Sequence, residues 1–178
     1  GGGPYRIRRT FVLLPLRKDF LKVTELTPEA WNERYLNGDI PWDLKAPTPE
    51  FQRLLEEKAL PPPPGRVLVP GGGQGHDAIL FAQHKYEVDL VDFAPRALEA
   101  ALVEAARQKT TIHAYRRNFF ELSSVGYHQS AYDILLEYTF FCAIPPEQRA
   151  EYAKTAAALL KPGGRLVGLF FPLKMDKP

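Results

Sequence analysis

Short apolar runs alternate with amphipathic segments through most of this 178-residue chain. Apolar runs bounded by glycine, proline or acidic residues are typical of buried strands, whereas apolar positions three to four residues apart are typical of helices. The pattern predicts strands near 66–70, 87–92, 112–117, 132–138 and 164–171. It predicts helices near 76–84, 95–108 and 146–161. This alternation favours an α/β fold with a doubly wound, mostly parallel sheet.

Two further helices are predicted ahead of the first strand. The Thr-Pro-Glu segment at 27–29 places a capping threonine before a proline and an acid in the first turn, and the Asn-Gly pair at 37–38 ends that helix. The same three residue types at 48–50 begin a second helix. Residues 1–26 show no clear periodicity, and we expect them to form an N-terminal extension or lid ahead of a main domain over 27–178.

The last predicted strand raises a packing problem. The segment 164–171 is nearly all apolar, so it should be buried on both faces, yet the chain stops at Pro178. A long apolar strand left at the edge of a sheet is an aggregation hazard. We therefore expect the domain to be incomplete at its carboxyl end. If the chain is this short, we expect a partner or a second copy to cover the edge.

Composition narrows the classes of function. With 45% hydrophobic and 25% charged residues the chain is an ordinary globular domain, and a net charge of +2 predicts no nucleic-acid surface. No apolar run is long enough to span a membrane. The single cysteine, Cys142, allows no intrachain disulfide, which fits a reducing compartment, so a cytoplasmic location is predicted. Four scattered histidines give no metal-ligand spacing, and no metal is predicted.

The candidate chemistry is concentrated at one strand-loop-helix segment. Residues 67–77 run from a β-favouring stretch through Gly71, Gly73 and Gly75 into a helix, and the next strand ends at Asp92. This order holds a nucleotide-type cofactor at the carboxyl ends of parallel strands. Glycine lets the backbone approach the ligand, and the acid can accept both ribose hydroxyls. In the alternative interpretation the loop only turns the chain, and the acid caps the following helix.

The glycine spacing selects among cofactors. The dinucleotide fingerprint is G-x-G-x-x-G, and here His76 occupies its last position, so a nicotinamide dehydrogenase is disfavoured. The phosphate-binding pattern G-x-x-x-x-G-K-[ST] is absent. A G-x-G-x-G loop with an acid about twenty residues further on resembles the class I S-adenosylmethionine methyltransferases.

A longer constellation narrows the resemblance. It consists of W-x-x-x-Y at 31–35, G-x-x-P-W-D at 38–43, P-T-P at 47–49, the glycine loop and E-Y-T-F-F-C-A-I-P at 137–145. In this order these segments resemble the thiopurine S-methyltransferase superfamily, and within it the thiol and halide methyltransferases. The resemblance covers about residues 26–174.

The resemblance implies S-adenosylmethionine as cofactor, S-adenosylhomocysteine as product and a thiol, bisulfide or halide as the small-molecule substrate. It implies that the cofactor contacts Trp31, Tyr35 and Trp42 on its methionine side, the three loop glycines Gly71, Gly73 and Gly75, Asp92 at the ribose, Asn118 and Phe119 at the adenine, and Tyr138 beside the methionine. It identifies no catalytic side chain, since an ionised soft nucleophile needs no general base.

Some positions depart from the family pattern. Tyr35 stands where the family often has tryptophan, and Asn118 where it usually has aspartate. The match ends after 171–173, where family members continue. Two alternatives stay open: a methyltransferase acting on nitrogen or oxygen, for which no base is evident, and a relative that binds cofactor or a partner without turnover.

Overall fold

A computed structural model describes residues 27–170; the predicted extension 1–26 lies outside the described residues. Its helices are α1 (Pro28–Asn37), α2 (Pro49–Glu56), α3 (His76–Gln83), α4 (Pro95–Arg107), α5 (Phe140–Ala143) and α6 (Arg149–Leu159). Its strands are β1 (Arg66–Pro70), β2 (Glu87–Asp92), β3 (His113–Arg116), β4 (Tyr132–Tyr138) and β5 (Leu160–Leu169). Short 3-10 turns cover Phe119–Ser124 and Pro146–Gln148. No helix in this range is long and apolar enough to cross a membrane.

The five strands form one parallel sheet in the order β3-β2-β1-β4-β5. The predicted α/β fold is therefore confirmed. The chain order reverses beside β1, because β2 lies on one side of it and β4 on the other. In open sheets of this kind ligands bind at such a switch point, beyond the carboxyl ends of the strands.

Helices cover both faces of the sheet, which explains the apolar character of the central strands. Along β1, Val67 and Val69 pack into a layer with α2, α3 and α4, whereas Leu68 packs into the opposite layer with α6 and the 3-10 turn at 119–124. Successive side chains of a strand point to opposite faces, so a strand covered twice has no polar face. The two layers hold the carboxyl ends of β1, β2 and β4 at fixed positions.

The start of β5 differs from the prediction. The Lys-Pro-Gly-Gly segment at 161–164 was expected to separate a helix from a strand, but β5 begins at Leu160. Tyr132 pairs with Leu160 and Ile134 pairs with Arg165, so the turn residues form an irregular bulge inside the ladder. The helix accordingly ends at Leu159 rather than at 161, because the chain enters the sheet as soon as the helix stops.

Within the described part of the chain the last strand forms an exposed edge, as the sequence predicted for a sheet without later strands. Within residues 27–170, β5 pairs only with β4, and Leu166 and Phe170 are 41% and 43% exposed. A strand with one neighbour presents unpaired N–H and C=O groups along its outer side. Apolar side chains and open backbone groups therefore lie together at this edge.

We expect this edge to support self-association. In sedimentation velocity, wild type should shift toward dimers or larger species as concentration rises, and Leu166→Lys should stay monomeric because a charge there opposes strand pairing. Leu102→Lys is the matched control, since Leu102 is 46% exposed on a helix. A wild type that stays monomeric at the highest concentration would show that the edge is not an interface.

A buried polar network lies at the opposite, amino ends of the strands. Asp89 accepts hydrogen bonds from Arg66 at 2.8 Å and from the Tyr132 hydroxyl at 2.7 Å, and His113 lies 3.2 Å from its other oxygen. His128 is buried, with Nδ1 2.5 Å from the Tyr132 hydroxyl. These contacts join the amino ends of four neighbouring strands, because Arg66, Asp89, His113 and Tyr132 lie on β1, β2, β3 and β4.

Candidate active site

A cavity of about 710 Å³ opens beyond the carboxyl ends of the central strands. The predicted site residues that line it are Trp31, Tyr35, Trp42, Gly71, Asp92, Asn118 and Phe119. A smaller cavity of about 60 Å³ adjoins it and is lined by the predicted residues Gly73 and Tyr138 together with Tyr35, Trp42 and Gly71. The residues chosen from sequence therefore converge on one region, with the exception of Gly75.

Two loop glycines are required by both their conformation and their surroundings. Gly71 has φ +57° and Gly73 has φ +53°, in the left-handed region. A Cβ at Gly71 would lie 2.5 Å from the Phe140 ring, and one at Gly73 would lie 2.6 Å from the Tyr35 hydroxyl. Aromatic side chains thus lie directly on the bare backbone of the loop.

Gly75 lines neither cavity. Its φ is +79°, and a Cβ there would lie 2.8 Å from the Cβ of Ala101 in α4. The close packing of α3 against α4 therefore explains why this position is a glycine. A role of Gly75 in cofactor binding stays a prediction from the sequence pattern.

Asp92 lies at the end of β2, where it joins the glycine loop to the next helix. One carboxylate oxygen accepts a hydrogen bond from Gly73 N at 3.0 Å, and the other accepts one from Ala94 N at 2.9 Å. Burial raises the pKa of Asp92, and these backbone hydrogen bonds oppose that shift. The capping interpretation and the ribose interpretation are compatible, because each carboxylate oxygen has a further lone pair and the residue lines the large cavity.

An aromatic wall closes the other side of the cavities. The ring centroids of Trp31 and Trp42 are 5.4 Å apart and those of Tyr35 and Trp42 are 6.0 Å apart, both edge to face. The Arg34 guanidinium lies 4.4 Å from the Trp42 ring centroid and pairs with Asp39 at 3.0 Å. Because α1 has no buried residue, these contacts help to hold it over the site.

The two residues predicted to border the adenine lie at the start of a 3-10 turn. The Asn118 side chain accepts a hydrogen bond from Phe120 N at 3.1 Å and caps the turn. Phe119 is buried and stacks on Tyr152 with ring centroids 5.1 Å apart. Both residues line the large cavity, and Asn118 can still offer its amide nitrogen as a donor.

Sequence reasoning missed several residues of the cavity wall. They include Phe93, Arg116, Thr139, Ile144 and Pro145. Phe93 and Thr139 directly follow a strand and Arg116 ends one, so a search of the strand ends would have found these three. Thr139 has φ +66°, a strained value for a β-branched residue, and it turns the backbone so that Phe140 lies on Gly71.

Glu137 supports the loop that carries this wall. Its side chain is 1% exposed and accepts hydrogen bonds from Phe141 N at 2.8 Å and from the Tyr152 hydroxyl at 2.7 Å. Burial raises the pKa of Glu137 to about 7 despite these hydrogen bonds. The carboxyl group therefore fixes the start of α5 and titrates near neutral pH.

This pKa predicts a pH-dependent stability. Between the ordinary pKa of 4.5 and about 7, the folded state keeps the proton of Glu137 while the unfolded state releases it, so the stability contributed at low pH is lost as pH rises. The difference in unfolding free energy between wild type and Glu137→Gln should change by up to roughly 3 kcal/mol over that range. Urea denaturation at pH 4.5 and pH 8 measures it, with the exposed Glu151→Gln as control. The same change in unfolding free energy between the two pH values for wild type and both variants would reject the raised pKa of Glu137.

The smaller cavity contains an ion pair that the sequence did not predict. His76 Nε2 lies 3.0 Å from Asp43 Oδ1, with side chains 24% and 7% exposed. The interaction with Asp43 raises the pKa of His76. Burial alone would raise the pKa of Asp43, but the interaction with the His76 ring and the hydrogen bond from Lys45 N outweigh it and lower that pKa. Asp43 lies in the loop after α1 and His76 is the first residue of α3, so no local spacing in the sequence predicts their contact.

Asp77, in the first turn of α3, links two helices. Its carboxylate accepts hydrogen bonds from Thr48 N at 2.7 Å and from the Thr48 hydroxyl at 2.8 Å. It thereby ties the start of α2 to α3 beside the smaller cavity.

Curated relatives show where this chain belongs. It is 34% identical over 152 residues to probable thiol methyltransferase 2 of Arabidopsis thaliana, which covers 85% of the chain and 65% of the relative. It is 33% identical over 159 residues to thiocyanate methyltransferase 1 of Brassica oleracea, which covers 85% of the chain and 68% of the relative. The chain thus spans about two thirds of the length of these relatives.

Solved structures share the fold at lower identity. A protein from a study of the conversion of a disulfide bond into a thioacetal group during echinomycin biosynthesis superposes with a TM-score of 0.69 at 23% identity, over 78% of this chain and 58% of that one. The 1,6-didemethyltoxoflavin-N1-methyltransferase of Burkholderia thailandensis, bound to its substrate and S-adenosylhomocysteine, superposes with a TM-score of 0.62 at 23% identity, over 87% and 65%. The sequence profile of thiopurine S-methyltransferase matches residues 26–177. With this match over most of its length, the chain belongs to the thiopurine S-methyltransferase family.

Proposed function

We propose that this chain uses S-adenosylmethionine to methylate a small soft nucleophile, namely a thiol, bisulfide or halide. The observation that carries the proposal is the pairing of Asp92 and a bare glycine loop on one side of the cavity with an aromatic wall on the other. Relatives of this chain are a probable thiol methyltransferase and a thiocyanate methyltransferase, both at about one third identity.

The residues present fit the cofactor. Asp92 would accept the ribose hydroxyls, and Asn118 and Phe119 would border the adenine, since all three line the large cavity. The absence of a Cβ at Gly71 and Gly73 lets Phe140 and Tyr35 pack against the loop, and Gly71 lines both cavities. The adjoining smaller cavity would receive the methionine end beside Tyr138. The smaller cavity continues from the large one, so one extended ligand can occupy both.

The cofactor supplies an electrophilic methyl group on a sulfonium when it is bound. The faces of Trp31, Tyr35 and Trp42 suit a cation, because aromatic rings attract positive charge electrostatically. The same rings exclude water from the space beside the glycine loop. Orientation and a dry site are what an in-line displacement by an ionised soft nucleophile requires.

The nature of the acceptor follows from the groups around the large cavity. Among its described lining residues, the carboxyl groups are Glu29, Asp92 and Glu121; Glu29 and Glu121 are exposed to solvent, and Asp92 already receives two hydrogen bonds. An amine or hydroxyl acceptor must lose a proton during methylation, whereas a thiolate, bisulfide or halide arrives without one to lose. The composition of this wall therefore favours an acceptor that ionises by itself.

A turnover assay with matched acceptors tests the proposal. Wild-type protein with S-adenosylmethionine should produce S-adenosylhomocysteine in the presence of bisulfide, thiophenol or iodide, and much less with phenol or aniline. For a thiol, kcat/KM should rise with pH up to the pKa of the free thiol, because the thiolate is the nucleophile. Preference for phenol or aniline would favour the oxygen or nitrogen methyltransferase. Cofactor binding without any turnover would favour the non-catalytic relative.

A further inference from the structure

The ion pair between His76 and Asp43 takes no part in the methyl transfer proposed above, yet it lines the smaller cavity. Asp43 lies in the loop after α1 and His76 begins α3, so the pair joins the aromatic wall to the glycine loop. Buried charged groups are costly unless they are paired or bind a ligand. A paired acid and base beside an open space therefore call for a functional explanation.

The pair retains unused hydrogen-bonding capacity. Asp43 Oδ1 accepts a hydrogen bond from Lys45 N at 2.7 Å and also faces His76 Nε2. Both contacts lie on Oδ1 of the carboxylate rather than on Oδ2. His76 Nε2 is buried and its contact with Asp43 lacks good hydrogen-bond alignment. Each member of the pair can therefore bind a further charged group.

The surroundings restrict what that group can be. Asp77 lies nearby but is occupied by its two hydrogen bonds from Thr48, which leaves Asp43 as the acid available to a cation. Glu104 and Asp77 both add negative potential at His76 and favour its charged form. The pair thus presents one available anion and one available cation side by side.

The size and position of the cavity point to the head group of an amino acid. A volume of about 60 Å³ would hold about four to six waters at roughly 10–15 Å³ each, close to the heavy atoms of such a head group. The cavity shares Tyr35, Trp42 and Gly71 with the large one. A ligand whose nucleoside fills the large cavity can therefore extend its tail past these residues.

We propose that His76 and Asp43 recognise the amino-acid zwitterion of the cofactor, with His76 binding the carboxylate and Asp43 binding the ammonium group. This inference rests on the proposed function. The four charges would alternate in sign, so each ligand group meets its opposite and the protein pair remains neutralised. Hydrogen bonds between ionised groups are among the stronger polar contacts in proteins. The pair would select the complete cofactor over nucleosides that lack the amino-acid tail.

Calorimetric titration with two ligands tests this inference. S-adenosylhomocysteine carries the zwitterion, and 5′-methylthioadenosine has the same nucleoside and thioether without it. His76→Gln and Asp43→Asn should each raise the Kd for S-adenosylhomocysteine at least about 30-fold, because one charge of a buried set loses its partner. Each should change the Kd for 5′-methylthioadenosine by less than twofold. The matched control is His84→Gln, at the other end of the same helix and outside both cavities.

The possible outcomes distinguish a failure of this inference from a failure of the proposed function. Equal losses for both ligands would overturn it, since the pair would then only support the loop. Unchanged affinities with a lowered kcat would also overturn it and would assign the pair to the methyl acceptor. Failure of wild type to bind either ligand would instead reject the proposed function. Unchanged binding of 5′-methylthioadenosine shows in the same experiment that each variant is folded.

Discussion

Replacing Asp92 with alanine is expected to remove nearly all affinity for S-adenosylhomocysteine. The carboxylate would lose its contacts with both ribose hydroxyls, and hydrogen bonds to a charged group contribute about 1.5–3 kcal/mol each. A loss of about 3–5 kcal/mol corresponds to a Kd raised roughly 100- to 1,000-fold or more. The substitution also frees the N–H groups of Gly73 and Ala94, so the glycine loop and the start of α4 lose an anchor.

Two variants control for the structural part of that effect. Asp92→Asn retains the shape and one acceptor oxygen, so its affinity should fall between those of wild type and Asp92→Ala. Asp133→Ala removes a carboxylate that accepts hydrogen bonds from Arg66 N and Lys161, both at 2.8 Å, at the opposite end of the sheet. It should cost stability and leave the Kd within about twofold. An unchanged Kd for folded Asp92→Ala would reject the ribose assignment.

Gly71→Ala is expected to lower both stability and cofactor affinity. The φ of +57° costs a side-chain-bearing residue about 1–2 kcal/mol. The new Cβ would lie 2.5 Å from Phe140, so the ring must move into the cavity that the cofactor needs. We expect a Kd for S-adenosylhomocysteine raised at least about tenfold, which is about 1.4 kcal/mol, and a free energy of unfolding lower by more than the backbone strain alone.

Gly163→Ala distinguishes the effect of backbone strain from the effect of a blocked cavity. Gly163 has φ +83°, a Cβ added there would meet no heavy atom within 4 Å, and the residue lies in the β5 bulge away from both cavities. The variant should show a similar loss of stability from strain and an unchanged Kd. The double variant Gly71→Ala/Phe140→Ala should recover part of the affinity, because the smaller side chain leaves room. If it recovers none, the contact with Phe140 is not what blocks the site.

Much of the sheet was predictable because its signals are local. The ranges 66–70, 87–92 and 132–138 match β1, β2 and β4 to the residue, since each apolar run ends at a glycine turn or a polar residue. The start of β5 was missed because Lys-Pro-Gly-Gly is also a helix-stop signal. Only pairing with β4 reveals that these residues bulge within a ladder, and pairing is a non-local property.

The site residues also divide into those with a local sequence signal and those without one. Asp92 was predictable because it ends a parallel strand, and such ends meet at one edge. Asn118 and Phe119 were chosen from the family resemblance, and they line the same cavity just after β3. Gly75 fits the glycine pattern of the loop, but the contact that leaves no room for a side chain there comes from Ala101 on another helix. The contact of His76 with Asp43 joins the start of α3 to the loop after α1, and the relative position of the two depends on tertiary packing. Sequence periodicity carries no information on such a contact.

The most direct measurement is a calorimetric titration of the chain with S-adenosylhomocysteine, followed in the same tube by S-adenosylmethionine with thiophenol or iodide. The account predicts saturable binding at one site per chain and formation of the methylated acceptor. Binding without product would contradict the proposed turnover while leaving the cofactor site in place. The absence of binding by this folded chain would contradict the central claim that the cavity beside Asp92 and the glycine loop holds the cofactor.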